Sequence, residues 1–402
     1  MFNSLNFKVI LFGFIFTFFS SFGQSFFLGL FNPSIRDALS ITHGQFGSIY
    51  ASATLLSSFI LVWIGKKIDD INTLKFAAYV ITLLAISCFL FSKISSIVLL
   101  FFSIFLMRLS GQGLMSHTAT TTISRYFERS RGRALSTTWL GLSLAEFISP
   151  LLIVFLLTII EWREIWLLIS IFVIIVLPSA SFFLIKNIKL ESRESANKKD
   201  IKIKAIKQWK RIEVLKDYRF YIVCLNMLAM PWIATGTFVY QSFISTSKSW
   251  GPYIIAQSFM VYSILSVITL IFSGFLIDKF SSRKLLIYMN IPLLFSVFVL
   301  FSFNSPISSF IFLGLIGISN GLANVIGSAT WAEIYGVKHI GSIKALTTAL
   351  MVFSTAFGTA LFGILIDNSF SIEQIALVSG FYILIAIFLL FLIKNKLNPN
   401  YL

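Results

Sequence analysis

The chain has 402 residues, of which 57% are hydrophobic and 12% are charged, and its mean hydropathy is +0.89. A soluble domain carries about 25% charged residues, so this composition excludes a water-soluble globular protein and indicates a chain solvated by lipid. The formal net charge of +16 favours nucleic acid only in a soluble protein; here the basic residues lie in short loops between apolar runs, which argues for membrane topology and against nucleic-acid binding.

Twelve apolar runs, each roughly long enough to cross a bilayer, follow one another along the chain. Only helices and closed barrels satisfy their backbone hydrogen bonds in lipid, and runs of this length without period-two alternation indicate helices. We therefore predict an all-α integral membrane protein with twelve transmembrane helices, the first retained rather than cleaved as a signal peptide. The runs cover residues 8–31, 45–65, 74–92, 96–124, 133–158, 163–186, 219–244, 252–277, 284–302, 307–334, 341–366 and 373–394.

Basic residues concentrate in the even-numbered connections between these runs and in the C-terminal tail. By the positive-inside rule, the even connections and both termini are expected to be cytoplasmic, in an inner (plasma) membrane. The odd connections hold little more than Arg36, Lys93, Arg163 and Lys248, whereas the even connections and the tail hold Lys66, Lys67, Lys75, Arg125, Arg129, Arg131, Arg133, Lys279, Arg283, Lys284, Lys338, Lys344, Lys394 and Lys396.

The loop between the second and third runs recurs between the eighth and ninth runs, 209 residues later (274 − 65 = 209). At this spacing Gly65, Asp69 and Lys75 return as Gly274, Asp278 and Lys284. A membrane chain whose halves repeat is typical of a transporter, so we predict two pseudo-symmetric six-helix bundles that move against each other.

The repeated loops are predicted to form a cytoplasmic gate. Glycine lets a helix end approach its neighbour, and an acid accepts hydrogen bonds from a helix N-terminus. We expect Asp69 to cap the eleventh run, which begins at Gly341, and Asp278 to cap the fifth, which begins at Gly132. The alternative is two ordinary capped loops whose acids balance nearby lysines. The predicted gate residues are Gly65, Asp69, Arg125, Gly274, Asp278, Arg283 and Glu333.

The fourth and fifth runs each carry one deep charge. Arg108 lies roughly 12 residues from the outer end of the fourth run, and Glu146 about 13 residues into the fifth, so both reach a similar depth. A charge at that depth costs at least about 2.5–3.5 kcal/mol, so each should face protein or water. We predict that Arg108 binds an anionic group and competes with Glu146, whose protonation couples transport to protons. The alternative is a structural ion pair between adjacent helices.

The one long polar stretch, residues 187–217, divides the chain into an N-terminal bundle, 1–186, and a C-terminal bundle, 218–402. Its first part is predicted to be a flexible linker. The apolar residues of its second part, with lysines between them, predict a basic amphipathic helix on the anionic leaflet, or else a solvated linker with incidental periodicity. These apolar residues are Ile203, Ile206, Trp209, Ile212 and Leu215.

Polar side chains in otherwise apolar runs are candidate cavity residues. They are Gln112, after Arg108 on the fourth run, Asn226 and Tyr240 on the seventh, and Asn320 and Asn324 on the tenth. Amides and hydroxyls at such positions line substrate cavities. Asn and Gln serve equally as hydrogen-bonding glue between helices, and the sequence leaves both readings open.

The loop that begins at Gly274, G-x-x-x-D-K-x-S-x-R-K, resembles the loop signature of the major facilitator superfamily. The Gly65 copy departs from it, with Asp70 in place of a basic residue and Asn72 in place of glycine. The resemblance covers the whole chain and implies twelve spans, a central loop and cytoplasmic termini. A second segment, from Arg125 to Pro150, is similar to the fourth-to-fifth span region of monocarboxylate-porter-like members, although the acidic-Gly-Gly-Trp pattern of their first span is missing.

These patterns predict a secondary transporter that moves a small organic anion, similar to a monocarboxylate, with protons by alternating access. No phosphate-binding loop, catalytic triad or metal-ligand spacing occurs, so we expect neither an enzyme nor a cofactor or metal site, and we expect a monomer. One alternative is a proton-driven exporter of amphipathic compounds or drugs, in which an unpaired acid dominates the site. Another is a membrane-embedded enzyme, which would need a cluster of acids or histidines at one membrane face.

Overall fold

The structure is a computed structural model that describes residues 4–127, 131–186, 207–336 and 338–398. Within these ranges the regular structure is helical. Eleven of the described helices are long and apolar enough to span a membrane, and Ile291–Ser302 is a shorter apolar helix at the place of the ninth predicted run. The predicted all-α membrane architecture is therefore confirmed.

The N-terminal helices correspond to the first six predicted runs. Two of those runs are not regular helices throughout: a short 3₁₀ turn, Ser20–Gly23, interrupts the first, and a π-helical segment, Arg108–Met115, interrupts the fourth. The helices are α1 (Ser4–Phe19), α2 (Ser25–Gly29), α3 (Asn32–Leu39), α4 (His43–Lys66), α5 (Thr73–Ser92), α6 (Ile97–Met107), α7 (Ser116–Tyr126), α8 (Arg131–Leu156) and α9 (Trp162–Ile185).

The C-terminal helices correspond to the last six runs and the end of the linker. The seventh run is interrupted at Tyr240, and the ninth is divided by a turn before Pro292, which lies in the first turn of its longer helix. The helices are α10 (Arg211–Leu215), α11 (Tyr218–Val239), α12 (Gln241–Ser247), α13 (Pro252–Phe280), α14 (Ser282–Leu285), α15 (Ile291–Ser302), α16 (Pro306–Tyr335), α17 (Ile340–Asp367) and α18 (Ile372–Ile393).

Side chains that cap helix N-termini set several of the starting points. Thr42 accepts a hydrogen bond from the amide of Gln45 while the side chain of Gln45 accepts one from the amide of Thr42, which begins α4. Ser371 and Gln374 form the same reciprocal arrangement at the start of α18. Such boxes satisfy amides that have no partner within the helix, so both helices begin where the loop sequence changes to an apolar run.

The chain divides into two compact units. The first contains Met1–Glu194 together with Phe238–Ser242, and the second contains Ser195–Thr237 together with Phe243–Leu402. Both expose large apolar side chains on spanning helices, including Phe183 at 78% and Trp63 at 69% in the first unit and Phe275 at 69% in the second. Lipid is the solvent that such surfaces require.

The core of the second unit encloses the C-terminal end of α16. Trp331 stacks on Tyr335, whose hydroxyl donates a hydrogen bond to the carboxylate of Asp217. The same carboxylate pairs with Arg219, which also donates to the backbone carbonyl of Lys396. Ring packing and a shared acid thus join the linker end, α11, α16 and the C-terminal tail in one buried cluster.

The linker differs from the predicted amphipathic helix over its described part. Helix α10 covers only Arg211–Leu215, and Ile203 and Ile206 lie outside the described residues. The indole of Trp209 packs against Tyr335 at 5.4 Å, and its amide donates to the Tyr335 carbonyl. The Trp209 side chain, predicted to enter the leaflet, therefore packs against the protein. A protein partner that offers both ring contact and a backbone acceptor outweighs the helical period of a short segment.

Candidate functional site

Two irregular helical segments meet inside the first unit. The turn Ser20–Gly23 in the first run packs against the π-helical segment Arg108–Met115 of the fourth. A Cβ added to Gly111 would lie 2.7 Å from the backbone nitrogen of Gly23, so only glycine permits this approach. Unwound and π-helical segments free backbone groups from the regular ladder and are frequent at functional sites, which makes this junction the candidate site.

Arg108 begins the π-helical segment and is 4% exposed. Its Nη1 donates a 3.0 Å hydrogen bond to the carbonyl of Gly23, and its guanidinium carbon lies 5.4 Å from the ring centroid of Tyr50 on α4. Nε is buried and has no hydrogen-bond partner among the described residues. The Nη1 bond thus leaves the Nε–Nη2 edge available, and that edge binds a carboxylate through two parallel hydrogen bonds.

Arg108 and Glu146 do not form the structural ion pair that was the alternative interpretation of these two charges. No acid pairs with Arg108 in the described part of the chain, and Glu146 is half-buried on α8 without a basic partner there. Five residues before Glu146, Gly141 lies against Phe14 and Thr17 of α1. This packing places Glu146 near the end of α1, and α8 also packs against the turn Ser20–Gly23, whose Gly23 carbonyl accepts the Arg108 hydrogen bond.

These two residues are nevertheless the deep charges of the described spans. Of the Asp, Glu, Lys and Arg residues in the candidate spans and in α15, only Arg108 and Glu146 lie more than two helical turns from an end. Gln112, predicted beside Arg108, lies half-buried in the same π-helical segment, and its backbone amide approaches Gly23. The first unit therefore holds one deep cation, one deep anion and a neighbouring amide.

Tyr240, a predicted substrate ligand, belongs to the chain segment that groups with the first unit. Its ring is buried, and its hydroxyl donates a 2.8 Å hydrogen bond to the carbonyl of His43. In the same segment, Gln241 donates to the carbonyl of Phe26, and Val239 accepts a hydrogen bond from Asn32. In this conformation the Tyr240 hydroxyl anchors the segment to the start of α4.

Asn226 serves as glue between helices, which was the alternative left open for it. It is fully buried, its side-chain amide donates to the Leu286 carbonyl at 3.2 Å, and Asn290 donates to both its oxygen atoms. These bonds use both oxygen atoms of Asn226 and one of its two side-chain N–H groups, so Asn226 joins neighbouring segments in this structure, and its substrate role stays a prediction. The sequence analysis missed Asn290, whose place before Pro292 marks it only as a turn residue.

The two amides on α16 differ in their surroundings. Asn320 donates a 3.0 Å hydrogen bond to the hydroxyl of Ser266 on α13. Asn324, one turn further, is exposed and has no side-chain partner in the described ranges. Asn324 therefore stays a candidate ligand, whereas Asn320 already joins two helices.

The gate residues of the first unit form contacts inside that unit. Arg125 pairs with the carboxylate of Asp69 and donates to the carbonyl of Ile68 at 3.0 Å. Gly65 lies beside the imidazole of His117, whose Nε2 is 3.0 Å from the Gly65 carbonyl oxygen. The end of the fourth run thus holds the loop between the second and third, and capping of the eleventh run by Asp69 stays a prediction.

The second unit has a comparable contact with the charges reversed. Here the loop contributes the base, Arg283, and the end of α16 contributes the acid, Glu333, at 2.9 Å. Glu333 also accepts hydrogen bonds from Ser282 and from the Arg283 amide. Among the described residues, no atom lies within 4 Å of a Cβ added to Gly274, so the close helix approach expected there is not seen in this part of the chain. The side chain of Asp278 lies outside the described residues.

Comparison with known proteins supports the fold. The sequence matches the family described as Major Facilitator Superfamily over residues 13–256 and 221–400. Similar solved structures include a bacterial homolog of the human lysosomal transporter Spinster, in an inward-facing and unoccupied conformation. Its TM-score is 0.72 at 14% identity, and the alignment covers 99% of this chain and 98% of that chain. The nucleoside transporter NupG has a TM-score of 0.73 at 14% identity, and the alignment covers 98% of this chain and 100% of that chain. No curated protein sequence matches the chain.

Proposed function

The chain belongs to the major facilitator superfamily and is a multi-pass membrane transporter rather than an enzyme, and from this premise we propose that it moves a small organic anion together with a proton. The observation that carries the proposal is the free Nε–Nη2 edge of Arg108, a buried cation with no acidic partner in the part of the chain that the structure describes. A carboxylate on the substrate would supply the missing charge and both hydrogen bonds.

Charge balance supports proton coupling through Glu146. In the empty carrier, ionised Glu146 offsets Arg108, so the deep charges of the spans sum to zero. When an anion binds Arg108, the sum returns to zero if Glu146 takes up one proton. Because uncompensated charge in the membrane is costly, the empty and the fully loaded carrier are the two states able to reorient. The proposed stoichiometry is therefore one proton for each monovalent anion.

The test is uptake by proteoliposomes that contain the purified protein, after a thermal-shift screen of organic acids has selected the labelled substrate. We expect an inside-alkaline pH gradient to drive accumulation, and a membrane potential imposed by potassium and valinomycin to have no effect. Arg108→Ala abolishes uptake, whereas the control Arg211→Ala, on the exposed helix α10, transports normally. Unchanged uptake by Arg108→Ala refutes the anion site.

Glu146→Gln separates binding from coupling. This variant mimics the protonated acid, so we expect exchange of labelled for unlabelled anion to persist while accumulation driven by the pH gradient is lost. Glu161→Gln, which alters an exposed acid just before α9, is the matched control. If Glu146→Gln still accumulates substrate against its gradient, the proton passes through another group.

One observation also favours the exporter of amphipathic compounds: Glu146 has no basic partner within the described ranges, and that candidate requires an unpaired acid. Under it, an organic cation would displace the proton from Glu146, and Arg108 would be dispensable. Exchange assays with paired anionic and cationic probes distinguish the two candidates, because Arg108→Ala abolishes exchange only if the substrate is an anion.

Three further statements belong to the proposal: an inner or plasma membrane location, cytoplasmic termini and a monomeric carrier. The lysines of the repeated loops support the orientation through the positive-inside rule. Cysteine substitution of Lys67 and Lys279, followed by labelling with a membrane-impermeant maleimide, tests it. Labelling of the two positions from opposite sides of the membrane would contradict the proposed orientation.

A further inference from the structure

Two buried hydroxyl groups beside Arg108 have no role in the contacts described so far. Tyr50 is 1% exposed and Thr54 is 2% exposed, and neither hydroxyl has a hydrogen-bond partner in the described part of the chain. Buried polar groups in proteins are almost always hydrogen-bonded, so each exception calls for a specific explanation. Two exceptions on one helix, next to an incompletely paired arginine, point to a shared ligand.

Helix geometry places both hydroxyls on the face of α4 that meets the site. Tyr50 and Thr54 are four residues apart, so their side chains lie one above the other on one face. The same helix packs against the π-helical segment, where Leu61 of α4 contacts Gly113. The guanidinium of Arg108 lies over the ring of Tyr50. The ring of Tyr50 is therefore the part of α4 that the structure shows in contact with Arg108.

Two other hydroxyls, one on α4 and one in the π-helical segment, are already bonded. Ser57 donates to the backbone carbonyl of Thr54, and Ser110 donates to the carbonyl of Leu106. Bonds of this kind satisfy a hydroxyl within its own helix. The hydroxyls of Tyr50 and Thr54 lack such bonds, which leaves them available to a substrate.

We infer that Tyr50 and Thr54 form a second binding point that selects a carboxylate carrying a further hydrogen-bonding group, such as a hydroxyl or carbonyl oxygen on a neighbouring carbon. The inference rests on the proposed function, since Arg108 must hold the carboxylate for the second group to reach α4. A hydroxyl both donates and accepts, so the pair suits a neutral oxygen substituent. A substrate ammonium group is disfavoured because it would lie close to the arginine.

The experiment compares two acids that differ by one hydroxyl group, lactate and propionate, in equilibrium binding to the purified full-length protein. The measured quantity is the ratio of the two dissociation constants for the wild type, Tyr50→Phe, Thr54→Val and the control Tyr79→Phe. Tyr79 lies on α5 and is 64% exposed, so it is not part of the buried site. Tyr50→Phe keeps the ring beneath Arg108 and removes only the hydroxyl.

We expect the wild type and Tyr79→Phe to bind lactate more tightly than propionate. Tyr50→Phe should reduce that preference about tenfold by weakening the binding of lactate alone, because one net hydrogen bond contributes about that factor to affinity. Thr54→Val, which preserves shape, should reduce it by a smaller factor and keeps the test informative if Tyr50→Phe fails to fold. An unchanged ratio in both variants, as expected if the hydroxyls bind only water, overturns the inference. The proposed function falls separately if Arg108→Ala binds both acids as tightly as the wild type does, or if the wild type binds no carboxylate.

Discussion

Replacing Gly111 with alanine tests whether the junction of the two irregular segments forms the site. The new Cβ would lie 2.7 Å from the nitrogen and 2.9 Å from the Cα of Gly23, and backbone atoms cannot rotate away as a side chain does. Gly113 is the matched control in the same π-helical segment, because its added Cβ would lie 3.1 Å from the flexible methyl groups of Leu61 and 3.4 Å, an ordinary contact distance, from the Arg108 carbonyl oxygen. Both changes add one methyl group to the same type of backbone.

The expected cost follows from this difference. Overpacking against rigid atoms costs typically about 1–3 kcal/mol, so Gly111→Ala should lose stability in that range and move Gly23 away from Arg108. For Gly113→Ala we expect less than about 1 kcal/mol, because a leucine rotamer change absorbs the contact. Since the Gly23 carbonyl holds Nη1 of Arg108, displacement of Gly23 should also weaken carboxylate binding by Gly111→Ala.

The assay has two parts. Thermal inactivation half-lives in detergent compare stability, because membrane proteins of this size commonly unfold irreversibly. Carboxylate binding then reports the site. Equal half-lives and equal affinities for Gly111→Ala and Gly113→Ala would refute the argument that the two segments are in backbone contact.

Three further predictions concern other described contacts. Asn226→Ala should shorten the inactivation half-life, because each buried partner that it leaves unsatisfied costs about 1–3 kcal/mol, and it should not change substrate affinity. Asn324→Ala should leave stability unchanged, because Asn324 is exposed. The reverse order of half-lives would contradict the assignment of Asn226 as a link between helices. Glu373→Gln should destabilise the protein more than Lys248→Met, because it leaves the fully buried Lys248 ammonium without its counter-charge at 2.7 Å; equal half-lives would contradict this. The Lys210 amide, by donating to Glu213, lowers the pKa of that exposed carboxyl, so the contact stabilises α10 above the ordinary carboxyl pKa of about 4.3. The protection factor of the Lys210 amide, which is its exchange rate in the unfolded chain divided by its observed rate at the same pH, should fall as pH falls through the lowered value, and a Glu213→Gln variant should lack that fall.

The sequence by itself determined the class, the spans and the deep charges. Apolar length sets whether a segment crosses the bilayer, and it depends on composition alone, so eleven of the predicted runs appear as spanning helices and the ninth run as the shorter α15. The cost of charge in lipid is similarly independent of neighbours, so Arg108 and Glu146 are identifiable from their positions in the apolar runs. The repeat of loops at one spacing predicted a transporter, and the loop that begins at Gly274 resembles the signature of the family that the whole-chain match confirms.

Only the tertiary structure decided which groups meet. Residue number gives the depth of a side chain along a helix. The direction in which the side chain faces follows from a rotation of about 100° for each residue, and a π-helical segment changes that rotation. Arg108 begins such a segment, and the structure shows its contacts with Gly23 and Tyr50, which the sequence did not predict. Asn226 and Asn324 look alike in the sequence. Asn226 is buried against Asn290, in the turn before α15, and so links two segments, whereas Asn324 is exposed. Such partners are distant along the chain, and no local period encodes them.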